Sequence, residues 1–322
     1  MGTKNLSTEI GFGAWGLGGD SYGAITEVEA LNLLELAYEM GIRVFDTSPS
    51  YGDGQSEFLL GKFFKRHRDV QIFTKVGMLP HNTFEIPHDF TTKNLYSSVD
   101  ESLRRLNSEQ LALIQLHSPQ LDYLIEYPSL LEDLDRLVVA GKVGKVGISL
   151  RSPNYLVNQL DDYPWASFQF NFSLLDQRIL DSDSVGSRRF LDAIRIARTP
   201  LHFGFLTDLG VNLKALTSDQ HLTKWPVEQL RIWEAAASDF REIAVLAGVS
   251  LETLAFQYLK ATKIPTIIIP GIMTPDQLQK NCMQYSMPEI GRDFIEMVKE
   301  TYIKIQTSLK VNTPFTYVNK GQ

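Results

Sequence analysis

Residues 41–62 read GIRVFDTSPSYGDGQSEFLLGK. Arg43, Val44 and Phe45 form a short run that stops at Asp46, as a buried strand would. A polar loop with Pro49, Gly52 and Gly54 follows, and from Gln55 the pattern predicts a helix over 55–64. Upstream, Thr26 and Glu29 make a T-x-x-E capping box, and Leu31, Leu34 and Tyr38 share one helical face. Gly41 stands where a left-handed C-cap is wanted. The stretch is therefore the hinge of a helix–strand–loop–helix unit, and the loop begins on a carboxylate.

The same unit recurs along the chain. Strand-like runs lie at 10–14, 43–46, 71–75, 111–117, 145–149, 167–169, 194–199 and 266–269, which makes eight. Helices are expected at 92–106, 128–140, a short one at 182–191, and 227–246 and 251–260 after a loop over 207–224. Thr274, Pro275 and Gln277 then mark a helix start with an N-cap, Pro at N1 and Gln at N3. Strands alternating with helices imply parallel βαβ units, and eight of them close a (β/α)₈ TIM barrel of the α/β class. An open doubly wound sheet would want a glycine-rich turn between an early strand and a helix. The segment GFGAWGLGG (11–19) is glycine-rich but leads into another loop. No linker or composition break divides the chain, so residues 1–322 read as one domain. Residues 308–322 read as a C-terminal tail that folds over a barrel end or stays mobile.

Composition excludes several classes. The 322 residues are 43% hydrophobic and 21% charged, enough for a large core. A formal net charge of −7 opposes electrostatic binding of nucleic acid. Cys282 is the one cysteine, so there is no disulfide framework or cysteine metal cluster, and its helical setting reads as a packed thiol. No signal-peptide core or ~20-residue apolar run is present, and a cytoplasmic protein without a membrane role is expected. His81 and His88 lie seven apart in a loop with few carboxylates nearby, which reads as two solvated histidines; no metal is expected.

In a barrel of this kind chemistry sits at the C-terminal strand ends. Asp46 ends the second strand with Tyr51 in its loop, Lys75 ends the third and His117 the fourth. Each alone has an ordinary structural explanation. Together, four titratable residues at the ends of three consecutive strands face one mouth. The 41–62 segment, with TKVG (74–77) and LHSP (116–119), resembles the aldo-keto reductase signature, and the similarity runs in order from about Ile10 to about Asn281.

That resemblance implies an NAD(P)H-dependent oxidoreductase acting on a small-molecule aldehyde or ketone. Reduction puts hydride on carbon while charge grows on oxygen, which then needs a proton and hydrogen bonds. Tyr51 would be the acid, Lys75 the cation that activates it, Asp46 the anchor of Lys75, and His117 the group orienting the carbonyl. A free tyrosine is a sluggish acid at neutral pH, and a neighbouring ammonium improves it.

The resemblance also implies the cofactor site. Ala14, Trp15 and Asp46 belong to it; Ser149 and Gln169 match holders of the nicotinamide amide, although buried polar residues tying down backbone is an equal reading. Arg198, Thr199, Pro200, Leu201, Gly204 and Leu206 match a loop that wraps the diphosphate; Pro270, Gly271 and Met273 precede the helix whose Gln277 and Asn281 match adenosine contacts. Three positions depart from family habit. Leu150 replaces an Asn, Arg198 an aromatic ring, and Met273 a cation near the 2′-phosphate, for which Lys280 could compensate. NADP(H) is preferred on family habit and NAD(H) is possible. Trp15, Tyr22 and residues 76–90 should rim the mouth, which suits a sugar-related ketone or a small aldehyde. Two rivals are weighed: a cofactor-binding regulatory subunit resembling potassium-channel β subunits, and a barrel aldolase or isomerase with Lys75 as Schiff base, which Asp46 opposes. Oligomeric state is not legible.

Overall fold

The computed structural model describes residues 9–79, 86–120, 122–156, 163–217 and 220–310. Its strands are β1 (Glu9–Ile10), β2 (Phe12–Gly13), β3 (Val44–Asp46), β4 (Gln71–Val76), β5 (Leu113–His117), β6 (Val146–Ser149), β7 (Ser167–Asn171), β8 (Ile194–Arg198) and β9 (Ile267–Ile269). All pair in parallel, in the order β1-β9-β8-β7-β6-β5-β4-β3-β2. The two ends of that ribbon, β1 and β2, are separated in the chain by Gly11 alone, so the sheet closes as a TIM barrel of eight strand positions. The expected single strand over 10–14 is thus two pieces. At Gly11 the chain changes partner from β9 to β3, and a Cβ there would lie 3.0 Å from Ile269 Cγ2 and 3.1 Å from Val44 O. Ala14 already belongs to a 3₁₀ turn (Ala14–Gly18).

The helices are α1 (Glu27–Glu39), α2 (Gln55–Phe64), α3 (Thr92–Leu106), α4 (Tyr123–Glu126), α5 (Leu130–Val139), α6 (Arg188–Asp192), α7 (Val227–Leu246), α8 (Leu251–Thr262), α9 (Pro275–Ser286) and α10 (Arg292–Lys310). The capping box of α1 forms, with Thr26 N donating to Glu29 Oε2 at 2.9 Å and Glu29 N to Thr26 Oγ1 at 3.3 Å. The helix expected over 128–140 starts at Leu130. The tail expected from 308 is shorter, because α10 runs through Lys310; residues 311–322 lie outside the described residues. Ile295, Val298, Tyr302 and Leu309 are buried at helical spacing on α10, a periodicity the sequence carries. No single helix among the described residues is long and apolar enough to cross a membrane.

Two apolar clusters hold the barrel. The larger fills the space between strands and helices. The smaller, Val44, Phe73, Leu113, Ile196, Ile267 and Ile269, plugs the lumen. Side chains alternate across a strand, so the residue two places on from a plug residue faces the lumen nearer the C-terminal mouth. That rule carries Val44 to Asp46, Phe73 to Lys75, Leu113 to Gln115 and His117, and Ile196 to Arg198. Register puts them side by side: Lys75 pairs with Gln115, His117 with Ser149, and Ser149 with Gln169.

Helix α2 lies close on α3 at Gly61, where a Cβ would stand 1.9 Å from the Arg105 carbonyl oxygen. Backbone cannot rotate away as a side chain does, so the helices must separate. Gly61→Ala is expected to cost about 1–3 kcal/mol, read as a lowered denaturation midpoint; an unchanged midpoint would refute the close approach.

Candidate active site

The loop after β3 is clamped before any catalytic atom is considered. Gly52 has φ +60°, and a Cβ there would meet Gly18 O at 2.1 Å, so only glycine lets the two loops touch. Ser56 Oγ donates to Ala14 O at 2.9 Å and accepts from Thr47 Oγ1 at 2.8 Å. Buried Glu57 accepts from Thr74 Oγ1 at 2.5 Å and from Arg105 Nε at 2.7 Å, tying α2 to β4 and α3. The Ser-Glu pair of the signature therefore fixes the loop that carries Tyr51.

Lys75 is 1% exposed, and its ammonium donates to Asp46 Oδ1 at 2.5 Å, Thr47 O at 2.8 Å and Tyr51 Oη at 3.4 Å. Asp46 Oδ2 accepts from Gln169 Nε2 at 2.7 Å and Gln115 Nε2 at 3.3 Å. Ser149 Oγ donates to Gln169 Oε1 at 3.0 Å. The Tyr51 and His117 rings meet edge to face at 6.1 Å, and Ser48 Oγ lies 3.0 Å from His117 Nδ1. Four expected residues thus come together, with Lys75 between the carboxylate and the phenol. Lys75 Nζ is committed to three oxygens, Asp46 Oδ1, Thr47 O and Tyr51 Oη, which leaves it no free direction for the attack a Schiff base needs.

Two contributors escaped the sequence reading, Gln115 and Ser48, and a third, His88, was placed on the rim but read as solvated. Gln115 sits two residues after Leu113 and two before His117, so strand alternation alone could have found it. Ser48, two residues beyond Asp46, carried no such signal. His88 is not a solvated loop residue: it is half-buried, stacks on Phe90 at 5.6 Å, and its Nε2 lies 2.9 Å from the His117 carbonyl oxygen. His81 lies outside the described residues. Among the described residues no three His, Cys, Asp or Glu are grouped to hold a metal.

The rim is aromatic. Trp15 lies 6.1 Å from Tyr51, 5.2 Å from Tyr22 and 4.8 Å from His221. His221 N donates to Ser21 O at 2.8 Å, so the long loop after β8 crosses to the loop after β2. Burial pushes His202 and His221 down to about 4, leaving both rings neutral at pH 7. Burial and the nearby Tyr51 raise the Tyr22 phenol, which makes Tyr22 a poorer acid than a free tyrosine.

The cofactor candidates divide. Ser149, Gln169, Arg198, Thr199, Gly204, Gly271, Met273 and Gln277 lie around strand ends β6 to β9. Leu206 does not join them: it is wholly buried in the core and its N–H donates to Leu201 O. Ala14 is likewise buried, with its carbonyl taken by Ser56. Gly204, at φ +96°, and Gly271 border open space, the nearest atoms to a Cβ being Val211 Cγ2 at 3.5 Å and Tyr22 Oη at 3.8 Å. Backbone that can be approached this closely suits a diphosphate, so these residues fit a nicotinamide dinucleotide. Met273 turns inward instead, its Sδ 1.9 Å from where a Cβ on Gly16 would stand. Lys280 is held by Glu252 Oε1 at 2.5 Å and Asp208 Oδ2 at 3.9 Å.

The Aldo/keto reductase family model matches residues 9–303. The chain belongs to this family. Its fold agrees: the structure of the glycerol dehydrogenase AKR11B4 from Gluconobacter oxydans aligns with a TM-score of 0.75 at 22% identity, over 92% of this chain and 91% of that one. L-galactose dehydrogenase of Arabidopsis thaliana is 26% identical, over 96% of this chain and 93% of that enzyme. Aldo-keto reductase YhdN of Bacillus subtilis is 29% identical over 182 residues, 55% of this chain and 53% of that protein. As an aldo/keto reductase the chain is an oxidoreductase of carbonyl and alcohol groups that uses a nicotinamide cofactor.

Proposed function

We propose that this aldo/keto reductase reduces an aldehyde or ketone to the alcohol, with Tyr51 giving the proton and Lys75, Asp46 and His117 supporting it. The observation that carries the reading is Lys75 Nζ bridging Asp46 Oδ1 and Tyr51 Oη in a buried site. As the carbonyl oxygen gains charge, Tyr51 Oη transfers its proton, and the adjacent ammonium stabilises the phenolate left behind. Asp46, steadied by Gln115 and Gln169, keeps Lys75 at that distance, and His117 hydrogen-bonds and orients the carbonyl. In oxidation Tyr51 runs as the base. The nicotinamide, when bound, supplies or takes up the hydride. Ser149 and Gln169 are the residues to hold its amide, Arg198 to stack on it, Thr199 to Gly204 and the α9 N-terminus to hold the diphosphate, and Gln277 and Asn281 the adenosine.

For substrate we propose a polyol- or sugar-related carbonyl: the L-galactose and glycerol dehydrogenases are relatives, and aromatic rings such as Trp15 and Tyr22 suit the apolar face of a sugar. Steady cofactor oxidation with a panel of sugar aldehydes, ketones and simple aldehydes supports this. Tight cofactor binding with no turnover on any carbonyl would overturn it in favour of a regulatory subunit.

NADP(H) is kept from family habit, with NAD(H) accepted, because Met273 is uncharged and Lys280 is engaged by two carboxylates. Wild type should discriminate NADPH from NADH by less than about tenfold in Kd, since one charge-assisted contact carries roughly 1.5–3 kcal/mol. Met273→Arg should move the ratio about tenfold or more toward NADPH, measured by fluorescence titration. No gain in the Arg variant would mean that the 2′-phosphate is read elsewhere.

A further inference from the structure

His117 is held from its main chain and from its ring. On the main-chain side, His88 Nε2 donates to the His117 carbonyl oxygen at 2.9 Å, and Ser118 N donates to Ser149 O at 2.8 Å. On the ring side, Nδ1 lies 3.0 Å from Ser48 Oγ. Ser48 is 1% exposed; its Oγ accepts from Ser50 N at 3.2 Å and lies 2.9 Å from Ser50 Oγ.

Hydrogen counting limits what these groups can do. A serine hydroxyl has one hydrogen and two lone pairs, and a neutral imidazole has one N–H and one lone pair. Ser50 N already takes one lone pair of Ser48 Oγ. That leaves Ser48 one hydrogen and one lone pair, to divide between Ser50 Oγ and His117 Nδ1. The three groups therefore form a line that runs in one of two senses. If Ser50 Oγ donates to Ser48 and Ser48 donates to Nδ1, the ring proton sits on Nε2. In the opposite sense it sits on Nδ1, and Nε2 offers a lone pair. Reduction builds negative charge on the carbonyl oxygen, which needs a donor. Only the first sense lets a neutral His117 supply one.

An imidazolium would donate from both nitrogens, but the charges nearby oppose it. Tyr51 meets the ring edge to face, and Lys75 Nζ is 3.4 Å from Tyr51 Oη, so a second cation would stand close to that ammonium. The other titratable groups around His117 are Asp46, paired with Lys75, and His88, on the His117 carbonyl oxygen.

We propose that Ser48 is a positioning residue whose hydroxyl donates to His117 Nδ1, holding the ring neutral with its proton on Nε2 for the substrate's carbonyl oxygen. This rests on the reductase reading above and on the role given there to His117. Ser50 completes the line by giving its hydrogen to Ser48.

The test reads the ring directly. Nitrogen-15 NMR of histidine-labelled, cofactor-loaded protein shows which ring nitrogen is protonated, and His117→Gln identifies the His117 signals among those of the six histidines. At pH 7 wild type should show Nε2 protonated and Nδ1 unprotonated. Ser48→Ala should raise the pH at which the ring titrates by about 0.5–1 pH unit, because a bond to the neutral form is lost. It should also lower kcat for carbonyl reduction about five- to tenfold with KM within about twofold, as one hydrogen bond felt mainly in the transition state implies. Ser48→Thr, which keeps the hydroxyl, should return both readouts close to wild type. Where the Ala variant does not fold, the wild-type spectrum decides. A wild-type ring protonated on Nδ1, or on both nitrogens, would overturn the proposal. So would a Ser48→Ala ring that titrates at or below the wild-type pH, or a kcat that falls only in step with the folded fraction. Turnover of no carbonyl overturns the reductase reading instead. The spectrum and the titration need no substrate, and they then decide whether Ser48 sets the ring proton.

Discussion

Tyr51→Phe is expected to lower carbonyl reduction by about 10³-fold, within the range a positioned general acid contributes, while the cofactor Kd stays near wild type. The substitution removes one oxygen from a ring held between Trp15 and His117, so packing is retained. Lys75 keeps Asp46 and Thr47 O as partners, at 2.5 and 2.8 Å, and loses only the 3.4 Å contact to the phenol. A structural role would leave a different trace: lowered stability with turnover reduced only in step with the folded fraction. Rate measured against denaturation midpoint separates the two. Turnover within about tenfold of wild type would remove Tyr51 from the role of acid.

Breaking the Lys75–Asp46 pair from either side is the second large effect. Both side chains are almost inaccessible, so Lys75→Met leaves a buried carboxylate and Asp46→Leu a buried ammonium. Removing one partner of such a pair typically costs about 3–5 kcal/mol, most of it from the stranded charge. Replacing both removes the charge along with the bond, so the double variant should recover much of the stability lost in the single variants. Activity should not return in any of them, because Tyr51 has lost either the ammonium itself or the carboxylate that holds the ammonium in place. Denaturant titration of the three variants gives the coupling energy directly. A double variant as unstable as the sum of the singles would show that packing, not charge, holds this part of the lumen.

The eight-fold alternation of strands and helices was legible along the chain because it rests on local facts: hydrophobic period, caps and glycine stops. The segment from Gly41 to Lys62 announced a strand, a carboxylate and a tyrosine, and those lie where a barrel puts its chemistry. Local reading failed where the cause was a neighbour far away in sequence. The break at Gly11 follows from a change of partner between β9 and β3. Helix α10 did carry its own period, in Ile295, Val298 and Tyr302, and was overlooked rather than hidden.

What the sequence alone determined is the family pattern and four of the residues that meet: Asp46, Tyr51, Lys75 and His117. Which neighbours complete them was decided by the tertiary structure. Gln115 and Gln169 reach Asp46 from β5 and β7, Ser48 reaches His117, and His88 meets the His117 carbonyl; none of these pairings is a spacing in the chain. The same holds for charge. In sequence Lys280 looked available for a phosphate, yet folding gives it two carboxylates, Glu252 and Asp208. Hydrogen bonds and ion pairs act over a few ångströms in space, across separations of tens to more than a hundred residues. Residue type and order therefore specify the chemistry a chain carries, and packing settles which charges stay unmatched.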